Sequence, residues 1–320
     1  MYRQYSSVNI KKNLMVIVVT LVVFITVPTV LTMTVTGIVE ENISDKLING
    51  RRIVVKYSYA SKSVDVNKFI DMVLAARFSM SDKIEVLKAE SIIVMTDIYR
   101  IMGDNMSIDS TSLGMEYLTE TQMKNIWGTD YQKNYDLIAD CTASTSGVIM
   151  GCDGKPIDAR YTEVSGGFTL SGTDILGSEY RYLTRIDCSE DMTSPDYLAV
   201  TTFSYKDFIK KMQKKYENIG LNESNPTKEI QIVSKTADGY VQKLQVGDVV
   251  MSGEEFVEIT GINSAIMTIE DANGSIRITT KGKGSCFGVS MYTANIMAEQ
   301  GSTYDVILNK FYKEITFISE

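Results

Sequence analysis

Apolar positions along the chain follow two periods, and the change falls near residue 140. Helical spacing recurs in residues 65–77, 84–102, 115–127 and 131–139. Ser81-Asp82 precedes the second pattern and Gly103 follows it, so we predict that Ser81-Asp82 caps this helix. The run IIVM at its centre is apolar all round, which predicts burial on most sides.

After Cys141 the pattern changes to short apolar runs separated by turn residues. Two of these runs flank Cys152-Asp153-Gly154, a typical hairpin signal. Further strands are predicted at residues 197–204, 230–235, 240–246, 265–271 and 275–280. Between them lies an amphipathic helix whose basic face we interpret as a solvated surface, with an anionic polymer as the alternative. The lysines of that face are Lys206, Lys210, Lys211, Lys214 and Lys215. Early helices and late antiparallel strands indicate an α+β fold.

The N-terminal segment is apolar without interruption. The run Leu14–Met33 carries no charged side chain, and about 20 apolar residues span the ~30 Å hydrocarbon core of a bilayer. Basic residues precede the run and acidic residues follow it, so the positive-inside rule predicts a cytoplasmic N-terminus. A cleaved signal peptide is the alternative, but the run is too long and no A-x-A site follows it.

The sequence therefore predicts a single-pass cell-membrane protein with an extracytoplasmic domain. We expect a cytoplasmic stub (1–13), a transmembrane anchor (14–36), a connector (37–63) and the main domain (64–320). Within that domain, a helix-rich lobe (64–140) is expected to pack on a mostly antiparallel β lobe (141–320), with a groove between loops.

Composition narrows the functional classes. The chain has 320 residues, of which 44% are hydrophobic and 22% charged, as in an ordinary globular protein. The net charge of -8 argues against nucleic acid as a partner, because phosphate would be repelled. Histidine is absent, which removes the commonest general base and the commonest metal ligand.

The four cysteines are Cys141, Cys152, Cys188 and Cys286. An extracytoplasmic location would permit disulfides, and Cys141 and Cys152 could face each other across a hairpin, although the sequence does not fix the pairing. Small semi-buried thiols are the simpler interpretation. There is no C-x-x-C motif and no histidine, so we expect neither a metal nor a cofactor.

Six stretches between residues 69 and 318 carry a resemblance. IEVLKAES looks like an EALKAQA helix, and GVIMGCDGKPIDARYTEVSGG looks like a hairpin followed by an HSxSGG loop. EYRYLTRID, KTADGYVQKLQV and EITGINSAIMTI follow in order, and GKGSCFGVSMYTANIMAEQG is similar to GxGHGVGMSQYGAxxMAxxG. Together they resemble the stage II sporulation protein D and amidase-enhancer family of bacterial cell-wall proteins.

The resemblance implies a fold used by peptidoglycan lytic transglycosylases. That chemistry needs a carboxyl group to protonate the glycosidic oxygen. The family carries this acid in an E-M-P motif ahead of the EALKAQA helix, and the matching position here holds Arg77. A guanidinium stays protonated near neutral pH and accepts no proton, so it cannot replace a carboxyl group.

Other departures from the family's pattern agree with this loss. Met95 stands where the family has an arginine, and Thr162 and Ser285 stand where it has histidines. Cys286 and Thr293 replace glycines, and their added side chains could narrow the groove. Some members bind zinc around the Ser-Gly-Gly loop, but here no soft ligand lies between Thr162 and Asp187, which leaves Cys188 without an obvious partner.

The resemblance also implies residues of a glycan-binding groove. Its aromatic side chains could stack on sugar rings or pack in the core. The predicted groove residues are Tyr161, Ser165, Gly166, Gly167, Gly284, Ser285, Phe287, Gly288 and Tyr292.

A shifted carboxylate could still supply an acid. Glu90 lies beside Ile92 and Ile93, and its pKa would be raised if it faced inward. The alternative is that Glu90 is exposed or paired with a basic residue. Arg77 in turn could pair with Glu85 across the turn between the helices, which would make it structural.

We therefore predict a membrane-anchored protein of peptidoglycan remodelling, in sporulation and engulfment or as an amidase enhancer. Its expected partners are glycan strands and a cell-wall amidase or other hydrolase, bound without cleavage, as in a pseudoenzyme. The alternative is an active lytic transglycosylase that uses Glu90. A sensor function has little support, because residues 1–13 carry no signalling domain.

Overall fold

The computed structural model describes residues 50–57, 60–77, 79 and 82–319. The predicted stub and anchor, residues 1–36, lie outside them. Within the described ranges, no helix has both the length and the apolar character that a membrane span requires.

Helices and several small sheets together make an α+β fold. The described helices are α1 Val66–Arg77, α2 Ile84–Met102, α3 Ser110–Leu113, α4 Glu120–Trp127, α5 Tyr131–Ser144, α6 Gly172–Ile175, α7 Tyr205–Gln213, α8 Gly253–Thr260, α9 Met291–Glu299 and α10 Tyr304–Phe311. The described strands are β1 Arg52–Lys56, β2 Ser61–Asp65, β3 Ser107–Asp109, β4 Val148–Cys152, β5 Lys155–Pro156, β6 Tyr161–Val164, β7 Leu198–Ser204, β8 Ile230–Lys235, β9 Val241–Val246, β10 Val249–Ser252, β11 Met267–Asp271, β12 Ser275–Lys281, β13 Lys283–Gly284, β14 Val289–Ser290 and β15 Thr316–Ser319.

The chain forms two compact units. In the first, β1 pairs antiparallel with β2 and parallel with β3. Ile53 and Val55 of β1 are fully buried, and Lys56 pairs with Asp109 at 2.9 Å. The alternation of buried and partly exposed residues in β1 is that of a strand with one covered face.

The second unit comprises Asn67–Asp104 and Met115–Glu320 and contains two hydrophobic clusters. One cluster lies under two antiparallel sheets, β10-β9-β8 and β11-β12-β7, where Phe208 of α7 and Phe256 of α8 are fully buried. The other includes Ile92 and Ile93 of α2 and Met150 of β4. The all-round apolar run of α2 is buried, as predicted.

The helix α2 spans the predicted residues, but its predicted cap is wrong. Lys83 is the N-cap residue and makes no side-chain cap. The carboxylate of Asp82 instead accepts a hydrogen bond from the backbone N–H of Ser79 at 2.7 Å. Asp82 therefore stabilises the turn between α1 and α2 and does not cap the helix.

Two other helices differ from the sequence pattern. The pattern at 115–127 becomes helical only at Glu120, because Thr119 and Gln122 form a capping box. The helix α8 lies in a region where we predicted mainly strands, and the Ser252 side chain caps it by accepting from the N–H of Glu255.

The hairpin around Cys152 is confirmed. Asp153 and Gly154 both have positive φ angles, 53° and 74°, as a tight two-residue hairpin turn requires. The other edge of β4 pairs with β15, which places Gly151 opposite Thr316. Cys141 lies in α5, outside this hairpin, and all four cysteines are free thiols.

Candidate functional site

The two predicted groove loops meet at the strand β6. This strand pairs antiparallel with β13 on one side and parallel with β14 on the other. The Ser285 loop, residues 285–288, joins β13 to β14, and the Ser-Gly-Gly loop, residues 165–167, follows β6 directly. The Ser285 hydroxyl donates to the carbonyl oxygen of Tyr161 at 3.0 Å, and the Thr162 hydroxyl donates to that of Lys283 at 2.8 Å. The Ser285 loop is thus tied to β6 by a side chain, and the Ser-Gly-Gly loop is the direct continuation of that strand.

Close backbone approach explains a glycine in the Ser285 loop. Gly288 has a φ of 65°, and a Cβ at this position would lie 1.7 Å from the carbonyl oxygen of Arg160. Only glycine fits there without moving the backbone. Cys286 also has a positive φ, 63°, although it is not glycine, so its backbone conformation carries some steric cost.

Asp191 links the Ser-Gly-Gly loop to residues that follow the Ser285 loop. It is fully buried, and its carboxylate accepts hydrogen bonds from the Ser165 N–H at 2.5 Å, the Ser290 hydroxyl at 2.7 Å and the Thr293 hydroxyl at 2.6 Å. Ser290 also caps α9 by accepting from the Thr293 N–H. One carboxylate therefore links the Ser-Gly-Gly loop to the helix that follows the Ser285 loop.

Sequence reasoning missed Asp191. The residue lies in a short 3-10 helix, Ser189–Thr193, where no hydrophobic period marks it as buried. Its partners are far apart in the sequence, so the spacing of residues gives no signal of the cluster.

Arg77 reaches the site from the end of α1. Its guanidinium carbon lies 4.6 Å from the centre of the Tyr161 ring, in a cation–π contact. Within the described residues no ion pair joins Arg77 to Glu85, which instead pairs with Lys88 at 2.7 Å. The proposed structural pair between Arg77 and Glu85 is therefore wrong, and Arg77 covers one face of a predicted groove residue.

Glu90 is buried, contrary to the interpretation as an exposed residue. Its side chain faces inward from α2, with 7% of the residue exposed, and no donor among the described residues reaches its Oε2 atom. Burial raises the pKa of Glu90 to about 7, an increase that Arg77 opposes and that Asp82 and Glu163 support. Glu90 is thus a carboxyl group that can hold or release a proton near neutral pH.

The turn between α1 and α2 is tied to α9 through Asn295. The Asn295 side chain accepts from the Lys83 N–H at 3.0 Å and donates to Asp82 at 3.4 Å. Burial raises the pKa of Asp82 as well. The helix after the Ser285 loop therefore also positions the turn that follows Arg77.

The other predicted site residues differ in how far they are exposed. Tyr161 and Tyr292 are partly exposed, and the Tyr292 hydroxyl lies 3.1 Å from that of Thr193. Phe287 is fully buried and packs against Tyr240 with the ring centres 5.9 Å apart, so it offers no ring face to a ligand. Met95 is also buried in the core.

The side chains of the two residues that stand where the family has glycines are not exposed. Cys286 is fully buried and Thr293 is 1% exposed, with its hydroxyl on Asp191. The expected narrowing of the groove by these residues is not seen.

Burial raises the pKa of Cys188 to about 11, so that thiol stays protonated at neutral pH. Among the residues that the structure describes, no group of three acidic or cysteine side chains could hold a metal ion.

Comparison with known proteins gives two similar curated relatives. Stage II sporulation protein D of Bacillus amyloliquefaciens is 29% identical over 266 residues, covering 81% of this chain and 75% of the relative. Stage II sporulation protein D of Bacillus subtilis (strain 168) is 30% identical over 275 residues, covering 82% of this chain and 78% of the relative. The chain belongs to the stage II sporulation protein D family. No family model matches the chain.

Membership in the stage II sporulation protein D family confirms the resemblance drawn from the six stretches. The positions at which this chain departs from the family's pattern can be located in the structure. Arg77, which the resemblance matches to the family's acid, lies against Tyr161, and Thr162 and Ser285 donate to backbone carbonyl oxygens. Neither hydroxyl titrates near neutral pH.

Proposed function

We propose that this protein binds the glycan strands of peptidoglycan during sporulation without cutting them. In this proposal residues 14–36 anchor it in the cell membrane, the N-terminus is cytoplasmic, and the main domain lies outside the cell membrane. Its groove runs between the Ser-Gly-Gly loop and the Ser285 loop, with helices on one side and the mostly β part on the other.

The observation that carries the proposal is the replacement of the acid by Arg77. Glycosidic cleavage requires a proton donor at the leaving oxygen, and a guanidinium does not release its proton near neutral pH. The contact with Tyr161 also fixes where the Arg77 side chain lies. In this position Arg77 can donate hydrogen bonds to a bound strand but cannot protonate it.

The loop frame supports binding. Asp191 joins the Ser-Gly-Gly loop to Ser290 directly after the Ser285 loop, and Tyr161 and Tyr292 remain partly exposed beside the loops. Aromatic faces and hydroxyl groups are suitable contacts for sugar rings. A rigid frame lowers the conformational entropy that the protein itself loses when a strand binds.

A partner hydrolase is the second element of the proposal. A protein that holds glycan strands without cleaving them would need another enzyme to remodel the wall. We propose a cell-wall amidase or another peptidoglycan hydrolase in that role, by analogy with the amidase enhancers of the family.

The test is sedimentation of the purified full-length chain with peptidoglycan sacculi. We expect the wild type to sediment with the sacculi and a Tyr161→Ala, Tyr292→Ala double variant to sediment several-fold less, because partly exposed rings beside the loops are removed. Tyr205→Ala is the matched control, since Tyr205 lies in α7 and its hydroxyl bonds to Asp271. Wild-type protein that binds neither sacculi nor a co-purifying hydrolase would contradict the proposal.

A second candidate function is favoured by one observation, the burial of Glu90. A carboxyl group with a pKa of about 7 is suited to general acid catalysis. In this candidate the protein is a lytic transglycosylase in which Glu90 replaces the lost acid. Lysis would then fall as the pH rises through about 7 and would be absent in Glu90→Gln.

A further inference from the structure

A cavity of about 490 Å³ opens beside the two loops, on the side of α8. Tyr161, Gly284 and Ser285 line it, and Tyr240, Val257 and Ala265 form a mainly apolar part of its wall. This volume lies within the range of small-molecule sites, about 300–1,000 Å³. None of these last three residues belongs to the predicted groove.

The cavity and the proposed groove share residues. The Tyr161 ring carries Arg77 on one face, and Tyr161 also lines the cavity. The Ser285 hydroxyl is fixed on the Tyr161 carbonyl oxygen. A strand that passes Arg77 and Tyr161 can therefore continue into the cavity.

The polar wall of the cavity is a chain of alternating charges. Arg160 lies in the middle, with its Nε atom 3.0 Å from Asp158 and its Nη1 atom 3.3 Å from Glu254. Arg100 in turn bridges Asp97 at 3.1 Å and Asp158 at 3.8 Å. The three carboxylates and Arg160 line the cavity, and Arg100, which is not a lining residue, pairs with two of those carboxylates, so the group carries little net charge.

Such a wall is suited to an uncharged polar ligand. The ion pairs fix the carboxylates, whose remaining lone pairs can accept from hydroxyl and amide groups, as pre-organised sites do. An isolated cation would compete with Arg160 and Arg100, and an anion would face three carboxylates. The apolar wall can cover a ring face or an acetyl methyl group.

We infer that this cavity is a subsite for an N-acetylated sugar residue at the end of the glycan groove. The inference rests on the proposed binding of glycan strands. It extends the binding surface to side chains of Glu254 and Val257 in α8, which the six stretches of family resemblance do not include.

The test is calorimetric titration of the purified full-length chain with soluble peptidoglycan glycan strands of defined length. Val257→Trp would fill the cavity, and Glu254→Ala would remove one acceptor from its wall. Val306→Trp, at an exposed position in α10, is the matched control for an added indole. We expect about tenfold weaker binding in Val257→Trp, because the indole would occupy the space of the sugar, and a smaller loss in Glu254→Ala, because one acceptor is removed.

The outcomes distinguish a failure of the subsite from a failure of the proposed function. Unchanged affinity in Val257→Trp and Glu254→Ala, with strand binding by the wild type, would overturn the subsite and leave the proposed function standing. Absence of strand binding by the wild type would overturn the proposed function itself. If Val257→Trp lowers the melting temperature, Glu254→Ala alone decides, because Glu254 is largely exposed at the cavity rim.

Discussion

Glu90 and Asp191 are both buried carboxylates in the candidate site, and their surroundings differ. Asp191 accepts three hydrogen bonds, from one backbone N–H and two hydroxyl groups. Glu90 has an oxygen without a described donor, and burial raises its pKa to about 7. Hydrogen bonds to an ionised carboxylate stabilise its charge, whereas desolvation alone destabilises it.

The two regions therefore have different effects on the stability of the fold. The region of Asp191 stabilises the fold and fixes the loops, so its carboxylate contributes to stability. The region of Glu90 keeps a titrating group inside the protein, which lowers stability once that group ionises. A position that lowers stability is a candidate for function, since stability and function often conflict at sites.

The largest effect is expected from Asp191→Ala. Removing the carboxylate leaves three buried donors without their acceptor, and each unsatisfied donor costs about 1–3 kcal/mol, less where a hydroxyl rotates to another acceptor. We expect the free energy of unfolding to fall by about 3–5 kcal/mol in urea denaturation. Asp140→Ala, at an exposed position in α5, should change it by less than about 0.5 kcal/mol. Equal effects of the two substitutions would refute the role of Asp191.

Glu90→Gln should raise the free energy of unfolding, by an amount that depends on pH. The Glu90 pKa is 4.5 in the reference state and about 7 in the folded protein, so the folded state binds the proton more tightly between these values. Stability is therefore lost as the pH rises from 4.5 to about 7, by about 3 kcal/mol in total. We expect Glu90→Gln to be more stable than the wild type by a similar amount at pH 8 and to lack this pH dependence.

The measurement for Glu90 is urea denaturation at intervals between pH 4.5 and 8. Glu217→Gln removes a carboxyl group at an exposed position and should keep the pH dependence of the wild type. If Glu90→Gln keeps it as well, the carboxyl group of Glu90 does not titrate inside the folded protein.

The smallest effect is expected from Thr293→Val, which keeps the shape of the side chain but removes its hydroxyl donor. Asp191 would keep two of its three hydrogen bonds, and we expect a loss of about 1.5–2 kcal/mol in the free energy of unfolding. Thr202→Val, at an exposed position in β7, serves as the control. If Thr293→Val leaves the free energy of unfolding unchanged, the hydrogen bond to Asp191 contributes nothing to stability.

Local patterns in the sequence predicted several elements well. The helical period of α2 and the Asp153-Gly154 turn depend on neighbours in the chain, and both are found where expected. The pairing of β6 with β13 and β14 joins segments more than a hundred residues apart, which no local period encodes. The meeting of the two loops therefore followed only from the family resemblance.

The burial of charged residues was the least predictable property of the site. The run IIVM that follows Glu90 is apolar on all sides, so it gives no polar face from which to judge the direction of the Glu90 side chain. Asp191 lies in a segment whose hydrophobic residues follow no period. Arg77 was identified by its position in a motif, but its contact with Tyr161 required the structure.

The central claim is that the site binds glycan strands and no longer cleaves them. The most direct measurement is mass spectrometry of the soluble products after purified peptidoglycan is incubated with the wild-type chain at pH 6, where Glu90 is largely protonated. The account predicts no anhydro-sugar products above those of a protein-free control. Anhydro-sugar products that form with the wild type and disappear with Glu90→Gln would contradict it and establish Glu90 as the acid.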